Sequence, residues 1–177
     1  MTWRIPSLRS PVVPGRVDVG VDLADGLVER LGGGLAGDDV LKAIEYPGVA
    51  SVQIIFNMFR QRPAELFFRQ AQRRNVAVIV RVPLASGLLT GKFGPDTTFA
   101  EDDHRRFNRH GEAFDVGETF AGVPYEVGLV AVEKLRPLVP EGATLAQLAL
   151  RWILMHEAVT VVIPGARNRQ QALANIA

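Results

Sequence analysis

The sequence predicts an α/β fold built on a parallel β-sheet. Three short runs rich in β-branched and aromatic residues, at 50–56, 76–80 and 159–163, are typical of strands covered on both faces. Segments with helical periodicity lie between them, and a weaker alternating run at 17–22 precedes them. Alternation of strands and helices indicates right-handed βαβ units, which place strands side by side and parallel.

Length and composition limit the class of protein. The chain has 177 residues, 47% of them hydrophobic, which suits one domain or part of one. Its 20 basic and 19 acidic residues nearly balance, so we expect no nucleic-acid or membrane partner. There is no cysteine, which excludes disulfides and thiolate metal ligands. Since no apolar run could span a bilayer and no signal peptide is recognisable, we expect a soluble, cytoplasmic protein.

The N-terminal segment differs from the rest of the chain. Prolines interrupt any early element, and a run of three glycines at 32–34 follows a possible short helix over 23–31. That run lacks G-x-G-x-x-G spacing and a strong preceding strand, so a flexible connector is favoured over a dinucleotide fingerprint. We therefore predict an irregular or disrupted segment over 1–36 and a regular unit over 37–177.

Capping signals and apolar stripes predict the helices of the regular unit. Their predicted starts are Asp38 or Asp39, Pro63, Pro124 and Thr144. The helix predicted to start at Pro63 has a buried apolar stripe made of Ala64, Phe67, Phe68 and Ala71. Asn75 is predicted to end this helix in a left-handed conformation. Gln147 completes a capping box with Thr144.

Two segments that contain histidine could in principle bind a metal or take part in catalysis, and a structural interpretation is favoured for both. From 83 to about 123 the sequence has little periodicity, and so long a loop is usually a functional cover or disordered. The charged patch at 101–106 within it contains a histidine, but nothing supplies further spaced ligands, so a solvated loop face is favoured over a metal site. His156 is interpreted as a helix-end residue near the carbonyl dipole, not as a catalyst.

The final strand, turn and helix predict an anion site. Pro164 and Gly165 end the strand, and Asn168 can cap the following helix with Gln171 in capping-box register. Free backbone N–H groups and the helix dipole then face the turn, where Arg167 adds donors suited to phosphate. From spacing alone, an ordinary turn with a surface arginine is an equal alternative.

The same residues resemble the last βα unit of aldo-keto reductases. The matching stretch is Ile163-Pro164-Gly165-Ala166-Arg167, followed by Gln171 and Asn175. In that family the Gly-x-Arg part binds the 2′-phosphate of NADPH, and the Gln and Asn positions flank the adenine. The resemblance implies NADP(H) as cofactor, with contacts from Gly165, Ala166, Arg167, Gln171 and Asn175.

Two further blocks carry the resemblance. Residues 52–57 are similar to the family's sixth barrel strand, which implies that Gln53 contacts the nicotinamide carboxamide. Residues 80–92 are similar to the seventh strand and the loop that covers the pyrophosphate, and 149–154 to the helix before the eighth strand. In the block at 80–92, the resemblance implies cofactor contacts from Arg81, Pro83, Leu84, Ala85, Ser86, Gly87 and Leu88. Arg81 replaces a Tyr that many members stack on the nicotinamide, and a guanidinium can also stack.

The resemblance implies a partial (β/α)8 TIM barrel, roughly the last four strands and their helices. A complete barrel needs roughly 250 residues, and phosphate is held after its last two strands. The family's catalytic Asp, Tyr, Lys and His all lie on the first half. The catalytic Tyr follows an Asp by five residues and precedes a Gly, and neither Tyr46 nor Tyr125 fits. We assign no catalytic residue and no metal site, and whether this chain alone is an enzyme stays open.

Three hypotheses follow. The first is the NADP(H)-binding portion of an aldo-keto-reductase-like oxidoreductase, truncated or split, whose hydride transfer requires a missing N-terminal half. The alternative is a non-catalytic half-barrel that binds a nucleotide, or nothing, and self-associates, since an open half-barrel exposes sheet edges and an apolar face. The third assigns another phosphorylated ligand to the same turn, which the match at Gln171 and Asn175 disfavours. Beyond the cofactor, the expected partner is a second copy or a separate N-terminal half.

Overall fold

The structure is a computed structural model that describes residues 38–176. Its strands are β1 (Ser51–Ile55), β2 (Ala77–Arg81) and β3 (Val159–Val162). Its helices are α1 (Asp38–Ala43), α2 (Phe67–Arg73), α3 (His104–Phe107), α4 (Tyr125–Leu135), α5 (Leu145–Leu154) and α6 (Arg169–Ile176). Short 3-10 turns occupy Arg62–Ala64, Ala85–Thr90, Val116–Glu118, Phe120–Gly122 and Arg136–Leu138. None of these described helices has the length and apolar character needed to cross a bilayer.

The three strands form one parallel sheet in the order β1-β2-β3. Gln53 pairs with Ile79, and Ile79 pairs with Val161, so these residues form one row across the sheet. An irregularity beside Val78 leaves Thr160 out of register, and its Oγ1 accepts a hydrogen bond from the Val78 N–H at 3.1 Å. The predicted parallel α/β architecture is confirmed for the described residues, while the predicted strand at 17–22 lies outside them.

Within residues 38–176, helices cover one face of this sheet and not the other. Alternate strand residues pack with helix residues in one core cluster: Ile44, Ile54, Phe56, Phe67, Phe68, Ala71, Val76, Val78, Val80, Ile153, Ala158 and Val159. The alternating positions point to the other face, where Val161 is 41% exposed and Ile163 is 45% exposed. Sequential parallel strands with helices on one face are typical of part of a (β/α)8 barrel. A doubly wound sheet has helices on both faces.

Most predicted helix ends are confirmed, and one is wrong. Thr144 and Gln147 form both hydrogen bonds of a capping box, and Asn75 has the left-handed φ of 53°. Pro63, however, lies in a separate 3-10 turn, and α2 begins only at Phe67. Leu66, at φ −132° and ψ −46°, breaks the helical path between them. Ala64 therefore lies in the turn and is exposed rather than part of the buried stripe.

The long loop (residues 82–123) packs around a second apolar cluster. Buried residues from this loop, α4 and α5 form it: Ala85, Leu88, Leu89, Phe120, Tyr125 and Ala149. The Tyr125 hydroxyl donates to the Gly94 carbonyl at 2.9 Å, and the Arg109 guanidinium lies 4.9 Å from the Tyr125 ring centre. The stretch without periodicity contains only the short α3 and 3-10 turns, and tertiary packing around this cluster holds it together.

His156 lies just after α5, among aromatic rings on the helix-covered face. Its ring centre is 4.7 Å from that of Trp152 and 4.9 Å from that of Phe56. Within residues 38–176 its Nε2 atom has no hydrogen-bond partner. Burial lowers the pKa of His156, because the charged imidazolium is disfavoured away from water. The predicted position of His156 at the end of this helix is confirmed.

Candidate functional site

The candidate site lies where the three strands end. Because the strands are parallel, their carboxyl ends meet at one edge of the sheet, where ligands of open and closed α/β sheets bind. Gln53 lies opposite Ile79, and Arg81 lies opposite Ile55, so both side chains point to the open face. The Cα atoms of Gln53 and Arg81 are about 8 Å apart, given the spacing of strands and residues. One bound group can therefore reach both.

A buried asparagine ties the end of β1 to the end of β2. Asn57 is fully buried, and its Nδ2 donates to the Val82 carbonyl at 3.0 Å. Its Oδ1 accepts from the backbone N–H of Phe59 at 2.9 Å and of Arg60 at 3.1 Å. No sequence pattern predicts this role for Asn57, because its partner Val82 is 25 residues away in the chain.

The loop after β2 has an unusual backbone at the predicted pyrophosphate cover. Ala85 and Ser86 adopt left-handed φ values of 48° and 54°, and Gly87 has φ 99°. A Cβ atom at Gly87 would lie 2.8 Å from the Phe93 ring, so only glycine fits there without a shift. Such conformations cluster at functional sites when the surroundings enforce them. The side chains of Ala85 and Leu88 are buried, so only their main chain can face a ligand.

Glu118, in the long loop, holds the arginine at the end of β2. The Arg81 Nη1 and Nη2 atoms donate to the two Glu118 carboxylate oxygens at 2.6 and 2.5 Å, a two-pronged ion pair. The Ser86 Oγ donates to the Glu118 carbonyl at 3.0 Å and accepts from the Phe120 N–H at 3.1 Å. No sequence pattern predicts this role for Glu118, which lies 37 residues from Arg81 in a segment without periodicity.

A second arginine fastens the same part of the loop to the end of β1. Arg60 Nη1 lies 3.8 Å from the Asp115 carboxylate, which also accepts from the Gly117 N–H at 2.7 Å. A Cβ atom at Gly117 would lie 1.7 Å from Arg60 Nη1, so the guanidinium packs directly on that glycine. The segment from Asp115 to Phe120 is thus tied to two adjacent strand ends.

The terminal turn (residues 163–171) is held by side-chain amides. The Asn168 Oδ1 accepts from the Gln171 N–H at 2.9 Å, which confirms the predicted cap of α6. The Gln171 Oε1 accepts from the Arg167 N–H at 2.7 Å instead of closing the box on Asn168. Asn175 Nδ2 donates to the Gly165 carbonyl at 3.3 Å. The Arg167 side chain is exposed and has no carboxylate partner among the described residues.

The charged patch at 101–106 forms its own ion pairs within the long loop. Asp103 accepts from the Arg105 backbone N–H at 2.9 Å, caps α3 and pairs with the Arg105 guanidinium. These Arg105 contacts lower the pKa of Asp103 to about 2. Arg106 pairs with Glu101, which is 86% exposed. In the described part of the chain no cluster of His, Asp or Glu could hold a metal ion.

Comparison with known sequences gives one family. The model of the Aldo/keto reductase family matches residues 24–177. The chain is 30% identical over 128 residues to a probable voltage-gated potassium channel subunit beta of Arabidopsis thaliana, covering 68% of this chain and 35% of the relative. It is 33% identical over 106 residues to L-glyceraldehyde 3-phosphate reductase of Escherichia coli O157:H7, covering 59% of this chain and 29% of that protein. The chain thus spans about a third of the length of these curated relatives.

Solved structures of similar proteins identify the fold. Glycerol dehydrogenase from Gluconobacter oxydans superposes with a TM-score of 0.55 at 26% identity, covering 70% of this chain and 35% of that one. The holo form of an aldo-keto reductase from Bacillus halodurans gives 0.54 at 22% identity, covering 86% and 47%, which supports the fold alone. Together with the parallel sheet that has helices on one face, these neighbours identify the fold as a partial (β/α)8 barrel, as the family resemblance implied.

Proposed function

Because this chain belongs to the aldo/keto reductase family, we propose that it is the NADP(H)-binding portion of an oxidoreductase that transfers hydride between NADPH and a carbonyl compound. One observation carries the proposal. The terminal turn presents the exposed Arg167, which has no carboxylate partner within residues 38–176, beside the start of α6, and the turn follows the strand next to β2. A guanidinium fork beside a helix N-terminus suits a phosphate monoester such as the 2′-phosphate.

The terminal turn is assigned to the adenosine end of the cofactor. In the proposal, Arg167 binds the 2′-phosphate, and the main chain of Gly165 and Ala166 approaches it closely. No atom of the described residues lies within 4 Å of a Cβ built on Gly165, so this side of the turn has room for a ligand. Gln171 and Asn175 flank the adenine, and their hydrogen bonds to the turn backbone fix their orientation.

The strand ends are assigned to the pyrophosphate and nicotinamide. The main chain from Pro83 to Leu88 covers the pyrophosphate, since the loop leaves β2 directly beside the terminal turn. Gln53 binds the carboxamide, and the Arg81 guanidinium stacks on the ring. The open face between these two side chains fits a flat, polar ring, and the reduced nicotinamide would supply the hydride there.

The proton donor is proposed to come from residues outside this chain. Carbonyl reduction needs a general acid, which contributes about 10²–10⁴-fold, and the assigned contacts include none. A separate N-terminal half, in the same cytoplasmic compartment, would supply it and complete the barrel. Ordinary rates of aldehyde reduction by the purified chain with NADPH would contradict this part of the proposal.

A non-catalytic, self-associating half-barrel is the second candidate. The exposure of Val161 and Ile163 on the open sheet face favours it, because a second copy would bury them. The similarity to a protein named as a channel subunit is compatible with association between chains. Sedimentation of the chain alone as a monomer at micromolar concentration would argue against this candidate.

The test of the proposed function is a fluorescence titration with NADPH and NADH. Arg167→Ala should weaken NADPH binding by about 1.5–3 kcal/mol, the range for a hydrogen bond to a charged group, and leave NADH nearly unchanged. Arg169→Ala is the matched control, because Arg169 is also exposed and lies at the start of α6. The assignment of Arg167 to the 2′-phosphate would be contradicted if Arg167→Ala weakened NADPH and NADH binding equally. It would also be contradicted if Arg169→Ala weakened NADPH binding as much as Arg167→Ala does.

A further inference from the structure

Glu118 occupies a position that no sequence motif assigns. We propose that Glu118 is a positioning residue for the nicotinamide end of the site and sets the preference between oxidised and reduced cofactor. It does so by fixing the plane of the Arg81 guanidinium and by cancelling its charge. This inference rests on the proposed function, since it takes Arg81 to lie against the nicotinamide.

Two features of the ion pair fix the guanidinium in place. Two parallel hydrogen bonds, at 2.6 and 2.5 Å, hold the guanidinium in the plane of the carboxylate, which one bond would not do. Glu118 is itself anchored, because its carbonyl accepts from Ser86 Oγ at 3.0 Å. Both side chains of the pair are 27% exposed, so one edge of the pair is open to a ligand. Stacking requires a defined plane, and Glu118 supplies it.

The pair also sets the local charge. Arg81 and Glu118 together are neutral, and the neighbouring Arg60 and Asp115 form a second neutral pair. Without the Glu118 carboxylate, one uncompensated cation would remain at the end of β2. The oxidised nicotinamide ring carries a positive charge that the reduced ring lacks. Loss of Glu118 should therefore repel NADP⁺ more than NADPH, because only the oxidised ring is a cation.

The experiment titrates the full chain with three ligands: NADPH, NADP⁺ and 2′,5′-ADP, which carries only the adenosine end. Glu118→Gln keeps size and removes charge, and it should weaken NADP⁺ about tenfold more than NADPH while leaving 2′,5′-ADP unchanged. Arg81→Gln should shift the preference the other way, toward NADP⁺, because it leaves a carboxylate. Glu101→Gln is the control, since Glu101 is in the same loop and paired with Arg106.

Each outcome decides the inference. Equal weakening of NADP⁺ and NADPH in Glu118→Gln, or no weakening, overturns it, because a merely structural contact does not discriminate the two redox states. If Glu118→Gln fails to fold, as judged by lost 2′,5′-ADP binding, Arg81→Gln decides through its opposite sign. If the wild-type chain does not bind 2′,5′-ADP, the proposed function itself is wrong and the inference falls with it. Binding of 2′,5′-ADP without redox discrimination overturns only the inference.

Discussion

The long loop and the terminal turn form the two halves of the candidate site, and they are stabilised differently. The long loop is held by tertiary contacts: the Arg81–Glu118 pair, the Arg60–Asp115 pair and a buried apolar cluster. Apart from the bond that the Ile163 N–H donates to the Val80 carbonyl at 2.9 Å, the terminal turn is held by amide hydrogen bonds between residues at most ten positions apart, and its side chains are largely exposed. The long loop is therefore organised by the rest of the fold, whereas the terminal turn is organised mainly by local sequence.

This difference gives a general expectation. Substitutions that disturb the long loop should lower the free energy of unfolding of the whole chain, because their contacts link separate strands. Equivalent substitutions in the terminal turn should change that free energy little and act on ligand binding instead. The chain offers asparagine and glycine residues in both regions, so the comparison can be tested with matched variants.

The largest effect is expected from Asn57→Ala. The substitution removes three side-chain hydrogen bonds at a fully buried position and leaves the Val82 carbonyl and the Phe59 N–H without these partners. Each such group costs on the order of 1–3 kcal/mol, so we expect a loss of about 3 kcal/mol. Urea denaturation followed by far-UV circular dichroism measures it.

Asn168→Ala is the matched control in the terminal turn. It removes the α6 cap, which contributes about 1 kcal/mol to a helix of this kind. That loss should appear mainly as fraying of α6. Equal global destabilisation by the two variants would break the contrast between the two regions.

The next largest effect is expected from Gly87→Ala. Its φ of 99° is strained for any residue with a Cβ atom, and that atom would also lie 2.8 Å from the Phe93 ring. We expect a loss of about 2 kcal/mol in the free energy of unfolding. Thermal unfolding of the variant beside the wild type measures it.

Gly165→Ala is the control for Gly87→Ala. In the part of the chain that the structure describes, no atom lies within 4 Å of a Cβ atom at Gly165, so the effect of this substitution on unfolding should stay within about 0.5 kcal/mol. If Gly165 approaches a phosphate, the same substitution should still weaken NADPH binding. A stable variant with unchanged affinity would remove Gly165 from the site.

The same contrast explains how much could be predicted from sequence. The terminal turn, the Thr144 capping box and the left-handed Asn75 follow from signals within a few residues, and the structure contains all three. The parallel α/β architecture followed from periodicity alone. The cofactor contacts came from family resemblance, and they stay a prediction because no ligand contact tests them.

Other parts could not be predicted, for physical reasons. The Arg81–Glu118 pair joins residues that only the folded strand and loop bring together. Asn57 has an ordinary sequence context, and its role depends on where Val82 lies in the neighbouring loop. The break at Leu66 left no clear signal, because Pro63 followed by an apolar stripe is equally compatible with one continuous helix.

The smallest effect is an acid sensitivity that should appear in the long loop and not in the terminal turn. The pKa of Asp103 is lowered from 3.8 to about 2 by Arg105, so its contribution is complete above 3.8 and is lost as the pH falls through about 2. Asp103→Asn should cost about 1 kcal/mol near pH 6, a charge-assisted bond discounted for partial exposure, and progressively less below pH 3.8. Urea denaturation of both proteins across this pH range measures the difference.

Two controls decide whether this acid sensitivity belongs to the loop's structure. Glu101→Gln removes an exposed pair in the same loop and should have almost no effect at any of these pH values. Asn168→Ala should cost the same amount at every pH, because the groups that hold the terminal turn are amides, which do not titrate. A loss for Asp103→Asn that stays constant down to about pH 2 would mean that Asp103 does not stabilise the loop through its charge. The contribution of Asp103 in the long loop to the free energy of unfolding would then be as independent of pH as that of Asn168 in the terminal turn.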